Sequence, residues 1–391
     1  MQVREQIIGD GVNKNILISG GGTGGHLYPA IAIIEYLQEK YPDTNISFIG
    51  SEKGMGSKLI PAMGIDFYKV RARGLTISRS PLKRISGYVS FVFAMIPGFF
   101  RALKILRSKK IKTVLGMGGY ICAPVFLAAM ARKIDFSIHE QNFIPGRLNK
   151  FFSLKAKYVF TSFEETKKLL RAKKDAVIFS GNPVRRAVRE MMRLEPSYER
   201  WGLERNRFTI VAFGGSLGAE KINRTITGLY GEFAGDSNIQ ILLISGSRYY
   251  DDISRKIESK INKDDALIFK VCSYIDEMDQ IYRIADLVIA RAGANTVFET
   301  AATNIPSVLI PYPYAIEDHQ FYNAKDISSR GKAVLLRENE LSVESLSGII
   351  KGLLKNGKEK YLEMKRKSIP VSGMDSLKII TNKLMEDDIG T

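Results

Sequence analysis

Cysteine and histidine are scarce in this 391-residue chain. It has two cysteines, Cys122 and Cys272, and three histidines, His26, His139 and His319. Two cysteines so far apart give neither a disulfide framework nor a thiolate metal site, and a reducing compartment fits best. No two histidines have the spacing of metal ligands, so we expect no metal site.

An N-terminal signal and a long apolar run are also missing. The first residues, MQVREQIIGDG, carry Glu5 and Asp10 and lack an apolar core, which argues against a secretory signal. The most apolar stretch, residues 85–100, is interrupted by Pro97–Gly98 and is shorter than the roughly 20 apolar residues of a membrane-spanning helix. We expect a cytoplasmic protein with no transmembrane segment, and we assign no role to residues 1–13.

Acidic residues are absent from one long segment. Residues 67–134 contain no Asp or Glu, residues 69–112 contain twelve Lys or Arg, and the chain as a whole has a formal net charge of +17. This balance predicts an anionic partner: nucleic acid, a phosphorylated ligand or an acidic membrane surface.

The aromatic residues of this basic segment cluster in YVSFVFAMIPGFF, residues 88–100. A nucleic-acid stacking platform would interleave aromatic and basic residues, so we favour docking on an anionic bilayer over nucleic acid. The alternative is a buried helix with a solvated basic collar. The side chains that we expect to dock are Lys83, Arg84, Phe91, Phe93, Phe99, Phe100, Arg101 and Lys104.

A strand, a glycine turn and a helix open each half of the chain. The two segments are ILISGGGTGGHLYPAIAIIEYL, residues 16–37, and VAFGGSLGAEKIN, residues 211–223. Such turns present backbone N–H groups to anions. The first also matches the dinucleotide pattern G-x-G-x-x-G, but the acidic residue that this cofactor requires, Glu52, is displaced from its strand end, and His26 follows the glycines. A dinucleotide site and a turn without a ligand are therefore the weaker alternatives.

Short apolar runs alternate with segments of helical period throughout, which predicts an α/β protein with parallel sheets. The predicted strands are 15–19, 46–49, 66–71, 112–116, 135–138, 157–161, 176–179, 208–213, 239–245, 266–271, 287–290, 306–310 and 333–336. The strand pattern pauses over residues 181–203, where we place the connection between two similar domains, 1–183 and 184–371. A last helix, within residues 372–391, is expected to pack back on the first domain.

Several predicted strands end in loops that place glycine beside polar residues, where open α/β sheets bind ligands. These loops are GMGGYICAP (116–124), HEQNFIPGRLN (139–149), GNPVR (181–185), RAGANTVFE (291–299) and PYPYAIEDHQFYNA (311–324). They lack a D-x-D motif, so a bound diphosphate would rely on backbone amides, helix dipoles and basic side chains. In RAGANTVFE, Glu299 could accept hydrogen bonds from a sugar diol, or it could be a solvated helix residue.

Taken together, these segments resemble the MurG family of bacterial peptidoglycan N-acetylglucosaminyltransferases, in glycosyltransferase family 28. GGTGGHLYPAIA, GMGGYICAPV, HEQNFIPGRLNK, GNPVR, FGGSLGAEKIN, RAGANTVFE and DHQFYNA follow one another in the order of that family. The resemblance implies a GT-B fold, in which two Rossmann-like domains with parallel sheets face each other across a cleft. It implies an acceptor and membrane-docking role for residues 1–183 and a UDP-sugar-binding role for residues 184–371.

The resemblance also implies the reaction and its setting. N-acetylglucosamine would pass, with inversion, from UDP-N-acetylglucosamine to the 4-hydroxyl of the muramyl residue of lipid I, forming lipid II for peptidoglycan synthesis, cell shape and cell division. The partners would be these two substrates and the anionic inner leaflet, with no nucleic acid. The protein would be peripheral, at the cytoplasmic face of the inner membrane. No cofactor is expected to be required, and divalent-ion stimulation is left open.

Site roles follow from the same resemblance. His26 is the expected general base, a task that suits an imidazole near neutral pH. Thr23, Gly24, Gly25 and Asn142 would line the donor-sugar and acceptor side, and Arg185 and Ser216 would contact the nucleotide or its diphosphate. The backbone of Ile275 would pair with uracil, and Gln320 would contact the sugar hydroxyls. Phosphate and ribose would lie against Ala294, Asn295, Thr296, Val297, Phe298 and Glu299, with Glu299 on the ribose.

Two rival functions stay open at this point. One is another GT-B enzyme, such as a glycolipid synthase or a UDP-sugar epimerase, which only the acceptor distinguishes. The other is a non-catalytic, membrane-docked UDP-sugar binder, against which His26 and the set of donor-site residues argue.

Overall fold

The computed structural model describes residues 14–21, 24–70, 81–215, 217–262, 264–367 and 374–386, and for residues 81–92 it describes the backbone only. The chain divides into two compact units. Unit 1 comprises Met1–Gln141, Pro145–Pro183 and Asp375–Thr391, and unit 2 comprises Asn142–Ile144 and Val184–Met374. The predicted sites Thr23 and Ser216 and the terminal residues 1–13 lie outside the described residues.

Unit 1 is built on a seven-stranded parallel sheet with the order β3-β2-β1-β4-β5-β6-β7. Its strands are β1 Asn15–Ser19, β2 Asn45–Ser51, β3 Asp66–Val70, β4 Thr113–Gly116, β5 Asp135–Glu140, β6 Val159–Thr161 and β7 Val177–Phe179. Its helices are α1 Gly24–Lys40, α2 Gly56–Ala62, α3 Pro81–Ser108, α4 Cys122–Ala131 and α5 Arg147–Phe152, with short 3₁₀ turns at Glu164–Leu169 and Lys174–Ala176.

Helices cover both faces of this sheet because alternate strand residues point to opposite sides. On β1, Ile16 and Ile18 pack with α1, whereas Leu17 packs into the cluster that includes α3 and α4. The C-terminal helix α13, Met374–Met385, joins the α1 side through Leu377, Ile380 and Leu384. The last helix of the chain thus contributes to the core of unit 1.

Helix α3 runs without a break through Pro97 and Gly98. Pro97 and Gly98 therefore interrupt the apolar stretch of the sequence but not the helix. Gly98 is buried, and a Cβ there would lie 2.9 Å from Cγ1 of Val70 and 3.3 Å from Cβ of Pro124. The glycine thus lets α3 approach its neighbours closely. Across the residues that the structure describes, no helix combines the length and apolarity needed to cross a membrane.

Unit 2 repeats the same arrangement with six parallel strands in the order β10-β9-β8-β11-β12-β13. Its strands are β8 Phe208–Phe213, β9 Ile239–Ile244, β10 Ile268–Cys272, β11 Leu287–Ala290, β12 Ser307–Leu309 and β13 Ala333–Leu335. Its helices are α6 Arg186–Glu190, α7 Glu220–Phe233, α8 Tyr250–Glu258, α9 Met278–Ile284, α10 Ala294–Ala302, α11 His319–Ser329 and α12 Val343–Arg366. Residues 355–358 of α12 have non-helical dihedral angles, so α12 is two helical stretches joined by a kink.

All thirteen predicted strands are confirmed, with ends that differ by at most two residues. Each sheet has its second, first and fourth strands adjacent at the centre in the same relative order, as expected for the two similar domains predicted from the sequence. The predicted fold class, two Rossmann-like units with parallel sheets, is also confirmed. The predicted division after residue 183 agrees with the observed one except at Asn142–Ile144, which belong to unit 2.

Candidate functional site

In unit 1, the loops that follow β1 and β4 meet at the centre of the sheet. These strands are neighbours, but the chain continues from them toward opposite edges, which opens a crevice at their carboxyl ends. A Cβ on Gly20 would lie 3.1 Å from Cβ of Met117, and one on Gly119 would lie 3.6 Å from the backbone N of Gly21. The two glycine-containing loops are therefore in direct contact.

His26 lies in the first turn of α1 and is half-buried in this crevice. Its ring lies against Gly118, where a Cβ would be 2.9 Å from Cε1 of the imidazole. Gly118 has a φ of +99° and Gly119 a φ of +82°, values that residues other than glycine rarely adopt. The two glycines thus allow both the turn and the approach of the ring.

Gly24 and Gly25, predicted to line the site, form the first turn of α1. A Cβ on Gly24 would lie 3.0 Å from Cε2 of Tyr28, and Gly25 is exposed. The amides of a first helical turn lack partners within their own helix and carry the positive end of its dipole. Together with His26, this turn can receive an anionic or hydroxyl-bearing ligand.

A chain of buried polar groups lies behind His26. Its Nδ1 is 2.9 Å from Oε1 of Gln141, whose Nε2 donates to the carbonyl of Met117 at 2.8 Å. The same Nε2 lies 3.0 Å from Nδ1 of His139, and Nε2 of His139 lies 3.3 Å from the carbonyl of Gly181. Burial lowers the pKa of His139 to about 4, so this imidazole is neutral at physiological pH.

Glu140, next to these residues, organises the loop that follows β5. Its Oε2 accepts from the backbone N–H of Gly146 at 2.9 Å and from Nδ2 of Asn149 at 2.8 Å, and the carboxylate is buried. Two hydrogen bonds to a charged acceptor stabilise a buried carboxylate and fix the groups that donate to it. The motif HEQNFIPGRLN therefore supplies both the polar chain and the support of its own loop.

In unit 2, the glycine loop after β8 approaches the loop after β9. A Cβ on Gly218 would lie 2.0 Å from the carbonyl oxygen of Ser245, so only glycine fits there. Gly218 and Gly246 both have positive φ, at +77° and +83°. Asn223 donates from Nδ2 to the carbonyl of Ser245 at 2.8 Å and fixes the second loop. The predicted site residue Ser216 lies outside the described residues of this loop.

Helix α10 begins beside that loop, because β8 and β11 are neighbours at the centre of the sheet. Gly293 precedes the helix with φ −65° and ψ 144°, and no side chain caps it. Of the predicted contacts, Ala294 is buried and Asn295 and Thr296 are half-buried. The side chains of Val297 and Phe298 are fully buried in the protein, so these two can face a ligand only through their backbone.

Glu299 is held in a buried polar pocket. Its Oε1 accepts from Nε of Arg185 at 3.0 Å, and its Oε2 accepts from the hydroxyl of Tyr282 at 3.1 Å. Only 6% of Glu299 is exposed, so the alternative of a solvated helix residue is wrong. Burial and the adjacent Glu299 carboxylate raise the pKa of Tyr282 well above its ordinary value, so the phenol remains a donor.

The remaining predicted contacts of unit 2 lie in three segments. Asn142 accepts through Oδ1 from Nδ2 of Asn323 at 3.1 Å. Gln320 accepts through Oε1 from the backbone N–H of Tyr312 at 3.0 Å, and Ile275 is buried in the loop after β10. Asn142 therefore belongs with α11 and not with the residues 1–183 to which the predicted boundary assigned it.

Among the residues that organise these sites, Gln141, Tyr282 and Asn323 had no role assigned from the sequence. Asn323 is fully buried and donates to the carbonyl of Ala292 at 3.1 Å while accepting from the N–H of Phe143 at 2.9 Å. Gln141 lies in the motif HEQN and Asn323 in the motif DHQFYNA, and these motifs were the sequence signal that could have identified them. Tyr282 lies in a helix with no motif around it, and only its contact with Glu299 reveals its role.

The predicted docking helix α3 carries an exposed apolar stripe. Phe93 is 66% exposed, Ile96 42% and Phe100 62%, at the spacing of one helical face. Arg101 and Lys104 are exposed beside it. Phe99, in contrast, is half-buried and packs against the core of unit 1, so it lies off this stripe. The side chains of Lys83, Arg84 and Phe91 lie outside the described part of α3.

Comparison with known proteins identifies the family of both units. The glycosyltransferase family 28 N-terminal domain matches residues 16–161, and the glycosyltransferase family 28 C-terminal domain matches residues 209–379. The crystal structure of Acinetobacter baumannii MurG is similar with a TM-score of 0.70 and 25% sequence identity, over 94% of this chain and 99% of that one. A UDP-GlcNAc 2-epimerase from Neisseria meningitidis has a TM-score of 0.66 at 14% identity, over 95% of this chain and 100% of that one, which shows a shared fold alone.

Curated relatives agree over most of the chain. Two of them are the UDP-N-acetylglucosamine–N-acetylmuramyl-(pentapeptide) pyrophosphoryl-undecaprenol N-acetylglucosamine transferases of Caldanaerobacter subterraneus subsp. tengcongensis and Natranaerobius thermophilus. The first is 38% identical over 86% of this chain and 90% of its own length, and the second is 36% identical over 91% and 95%. This chain therefore belongs to glycosyltransferase family 28 and, within it, to the MurG family of UDP-N-acetylglucosamine-dependent transferases.

Proposed function

We propose that this enzyme transfers N-acetylglucosamine from UDP-N-acetylglucosamine to the 4-hydroxyl of the muramyl residue of lipid I, giving lipid II and UDP with inversion at the anomeric carbon. Its relatives, 34–38% identical, are named for this donor and this lipid-linked acceptor. The observation that carries the proposal is a polar crevice at the switch point of unit 1, with His26 in it, together with the buried Arg185–Glu299–Tyr282 group of unit 2.

His26 is the proposed general base. The acceptor oxygen attacks the anomeric carbon as the bond to the UDP oxygen breaks, and the hydroxyl proton passes to the imidazole. The departing diphosphate keeps the electron pair of the broken bond. One displacement of this kind inverts the centre and needs no covalent enzyme intermediate, so a trapped glycosyl-enzyme would contradict it.

Unit 2 is the proposed donor site. Glu299 is anchored by Arg185 and Tyr282 with one carboxylate oxygen toward each, and an anchored carboxylate can accept hydrogen bonds from the ribose hydroxyls. The uncapped N-terminus of α10 presents backbone amides to the diphosphate, with Ser216 and Arg185 as further contacts. The Ile275 backbone would pair with uracil, and Gln320 and Asn142 would contact the transferred sugar.

The diphosphate is proposed to leave without a resident metal ion, stabilised by the amides of α10 and by basic side chains. Preorganised donors aimed at developing charge can carry this stabilisation. Enzyme dialysed against a chelator should keep at least about a third of its activity. A drop of more than about tenfold that added Mg²⁺ restores would show that a cation takes part.

The acceptor is lipid-linked, so we propose that α3 brings the enzyme to the anionic inner leaflet at the cytoplasmic face of the inner membrane. The exposed Phe93, Ile96 and Phe100 would enter the bilayer interface, and Arg101 and Lys104 would meet lipid headgroups. Association of this kind is peripheral.

Release of UDP tests the whole proposal. UDP-N-acetylglucosamine is incubated with the enzyme, with and without a soluble lipid I analogue that bears a muramyl-pentapeptide diphosphate. We expect release that depends on the analogue and a disaccharide product, both greatly reduced in His26→Ala, which should still bind UDP. Turnover of UDP-N-acetylglucosamine that is independent of any acceptor would contradict the transferase and point to epimerisation.

A further inference from the structure

The amide of Gln141 has only one orientation that its surroundings allow. Its Nε2 lies 2.8 Å from the carbonyl oxygen of Met117 and 3.1 Å from that of His139. Carbonyl oxygens only accept hydrogen bonds, so the NH₂ end must face them, and a flipped amide would place an oxygen against two oxygens. Gln141 is 1% exposed, so water does not relieve the alternative.

The hydrogen bonds of His139, which faces the NH₂ end of the amide, agree with this orientation. Nε2 of His139 faces the carbonyl of Gly181 at 3.3 Å and must therefore carry a hydrogen. Because the buried ring is neutral, its Nδ1 holds a lone pair and accepts from Nε2 of Gln141 at 3.0 Å. Two backbone carbonyls and one imidazole thus fix the same end of the amide.

The other end of the amide decides the state of His26. Oε1 of Gln141 lies 2.9 Å from Nδ1 of His26, and an amide oxygen can only accept. Nδ1 of His26 must then carry the hydrogen. In the neutral ring the lone pair is left on Nε2, which is the nitrogen that can take a proton.

We propose that Gln141 is a positioning residue that selects the Nδ1–H tautomer of His26 and so makes Nε2 the basic atom. The catalytic use of this tautomer rests on the proposed role of His26 as general base. The hydrogen-bond chain runs from His26 through Gln141 to His139 and ends at the carbonyl of Gly181, which also accepts from Ser376 of α13 at 3.2 Å. The C-terminal helix thereby supports the end of this hydrogen-bond chain at Gly181.

Nitrogen NMR of the ligand-free enzyme tests the tautomer without any turnover. The chain has three histidines, so a sample labelled with ¹⁵N in its histidine rings gives few signals, and His26→Ala identifies those of His26. We expect a protonated Nδ1 and an unprotonated Nε2 in neutral His26. A neutral His26 with its hydrogen on Nε2 would overturn the proposal.

Two variants link the tautomer to Gln141. Gln141→Leu removes the acceptor, so the His26 signals should move toward a mixture of tautomers, and kcat should fall about 10- to 100-fold, less than or equal to the usual contribution of a general base. Gln141→Glu puts an oxygen in place of the Nε2 that faces the carbonyls of Met117 and His139, so that oxygen must carry the carboxyl hydrogen and the other oxygen still accepts from Nδ1 of His26. This variant should retain the Nδ1–H form. Unchanged His26 signals in Gln141→Leu would overturn the assignment to Gln141.

A matched control separates this effect from a loss of stability. Gln240 is also fully buried, and it donates to the carbonyl of Glu204 and to Oγ1 of Thr209, far in the chain from the site. Gln240→Leu should reduce stability as Gln141→Leu does but leave the His26 signals and kcat unchanged. If Gln141→Leu shifts the tautomer while kcat stays at the wild-type value, the catalytic use of the tautomer is overturned. His26→Ala turnover then shows whether the base role itself fails.

Discussion

Arg185→Leu should destabilise unit 2 strongly, because it leaves the buried carboxylate of Glu299 without its charged partner. The side chains of the pair are 16% and 8% exposed, and Oε1 of Glu299 is 3.0 Å from both Nε and Nη2 of Arg185. Leucine removes both donors and leaves the buried carboxylate with the Tyr282 hydroxyl. Breaking a buried pair by removing one partner costs about 3–5 kcal/mol, because a buried charge is left uncompensated.

We expect the low end of that range, about 3 kcal/mol, because Arg185 keeps some contact with solvent. For a unit of this size each kcal/mol lowers the Tm by about 2–4 °C, so the unit 2 transition should fall by about 6–12 °C. Urea unfolding of the full chain at pH 7 gives the free energy, and calorimetry gives the Tm. Affinity for UDP should fall in the same variant, because Glu299 is no longer held in place.

The adjacent Arg186 supplies the matched control. It pairs with Glu190 at 3.1 Å, four residues along α6, and the two side chains are 52% and 32% exposed. Arg186→Leu should cost less than about 1 kcal/mol, as exposed pairs do. The double variant Arg185→Leu/Glu299→Leu should recover most of the loss, since no unpaired charge remains. The reasoning is refuted if Arg185→Leu is no less stable than Arg186→Leu, or if the double variant is no more stable than Arg185→Leu.

Three further predictions concern unit 1. Burial lowers the pKa of His139 in the fold to about 4, below the ordinary 6.5. The free energy of unfolding is therefore at its full value above pH 6.5 and falls by up to about 3 kcal/mol as the pH drops toward 4. The difference in urea stability between wild type and His139→Leu should show this slope. Phe93→Ser with Phe100→Ser should weaken binding to anionic vesicles by at least about tenfold in sedimentation, since burying each ring stabilises by about 1.5–3 kcal/mol. Gly118→Ala should lower kcat more than Gly119→Ala, because both have positive φ but only the former places a Cβ 2.9 Å from the imidazole of His26, the proposed base.

Each of these predictions has an outcome that contradicts it. If the stability of His139→Leu falls between pH 7 and 4.5 with the same slope as that of the wild type, this histidine is not the source of the slope. Vesicle binding that Phe93→Ser with Phe100→Ser does not alter, while Lys104→Ser alters it strongly at low salt, would make docking electrostatic alone. Equal losses of kcat in the two glycine variants would show backbone strain, and not displacement of the ring, as the cause.

The sequence by itself determined the strands, the fold class and the strand-end loops at which we expect ligands to bind. Apolar runs such as Ile16–Ile18 and Leu287–Ala290 are buried strands because parallel sheets covered by helices need apolar residues on both faces. The glycine loops follow directly from local dihedral requirements, and the motif HEQN could be placed at the end of a strand by its pattern alone. Local signals of this kind need no knowledge of distant residues.

Only the tertiary structure decided which polar groups meet. Glu299 is buried because Arg185, 114 positions away in the chain, and Tyr282 satisfy its two oxygens. Gln141 contacts His26 across 115 positions, and α13 joins unit 1 although nearly 200 residues of unit 2 precede it. The burial of a polar group and its hydrogen-bond partners depend on where the strands place these segments. The sequence around a carboxylate or an amide does not indicate which distant residue it will contact. The contacts of Gln141, Tyr282 and Asn323 therefore became visible only in the tertiary structure.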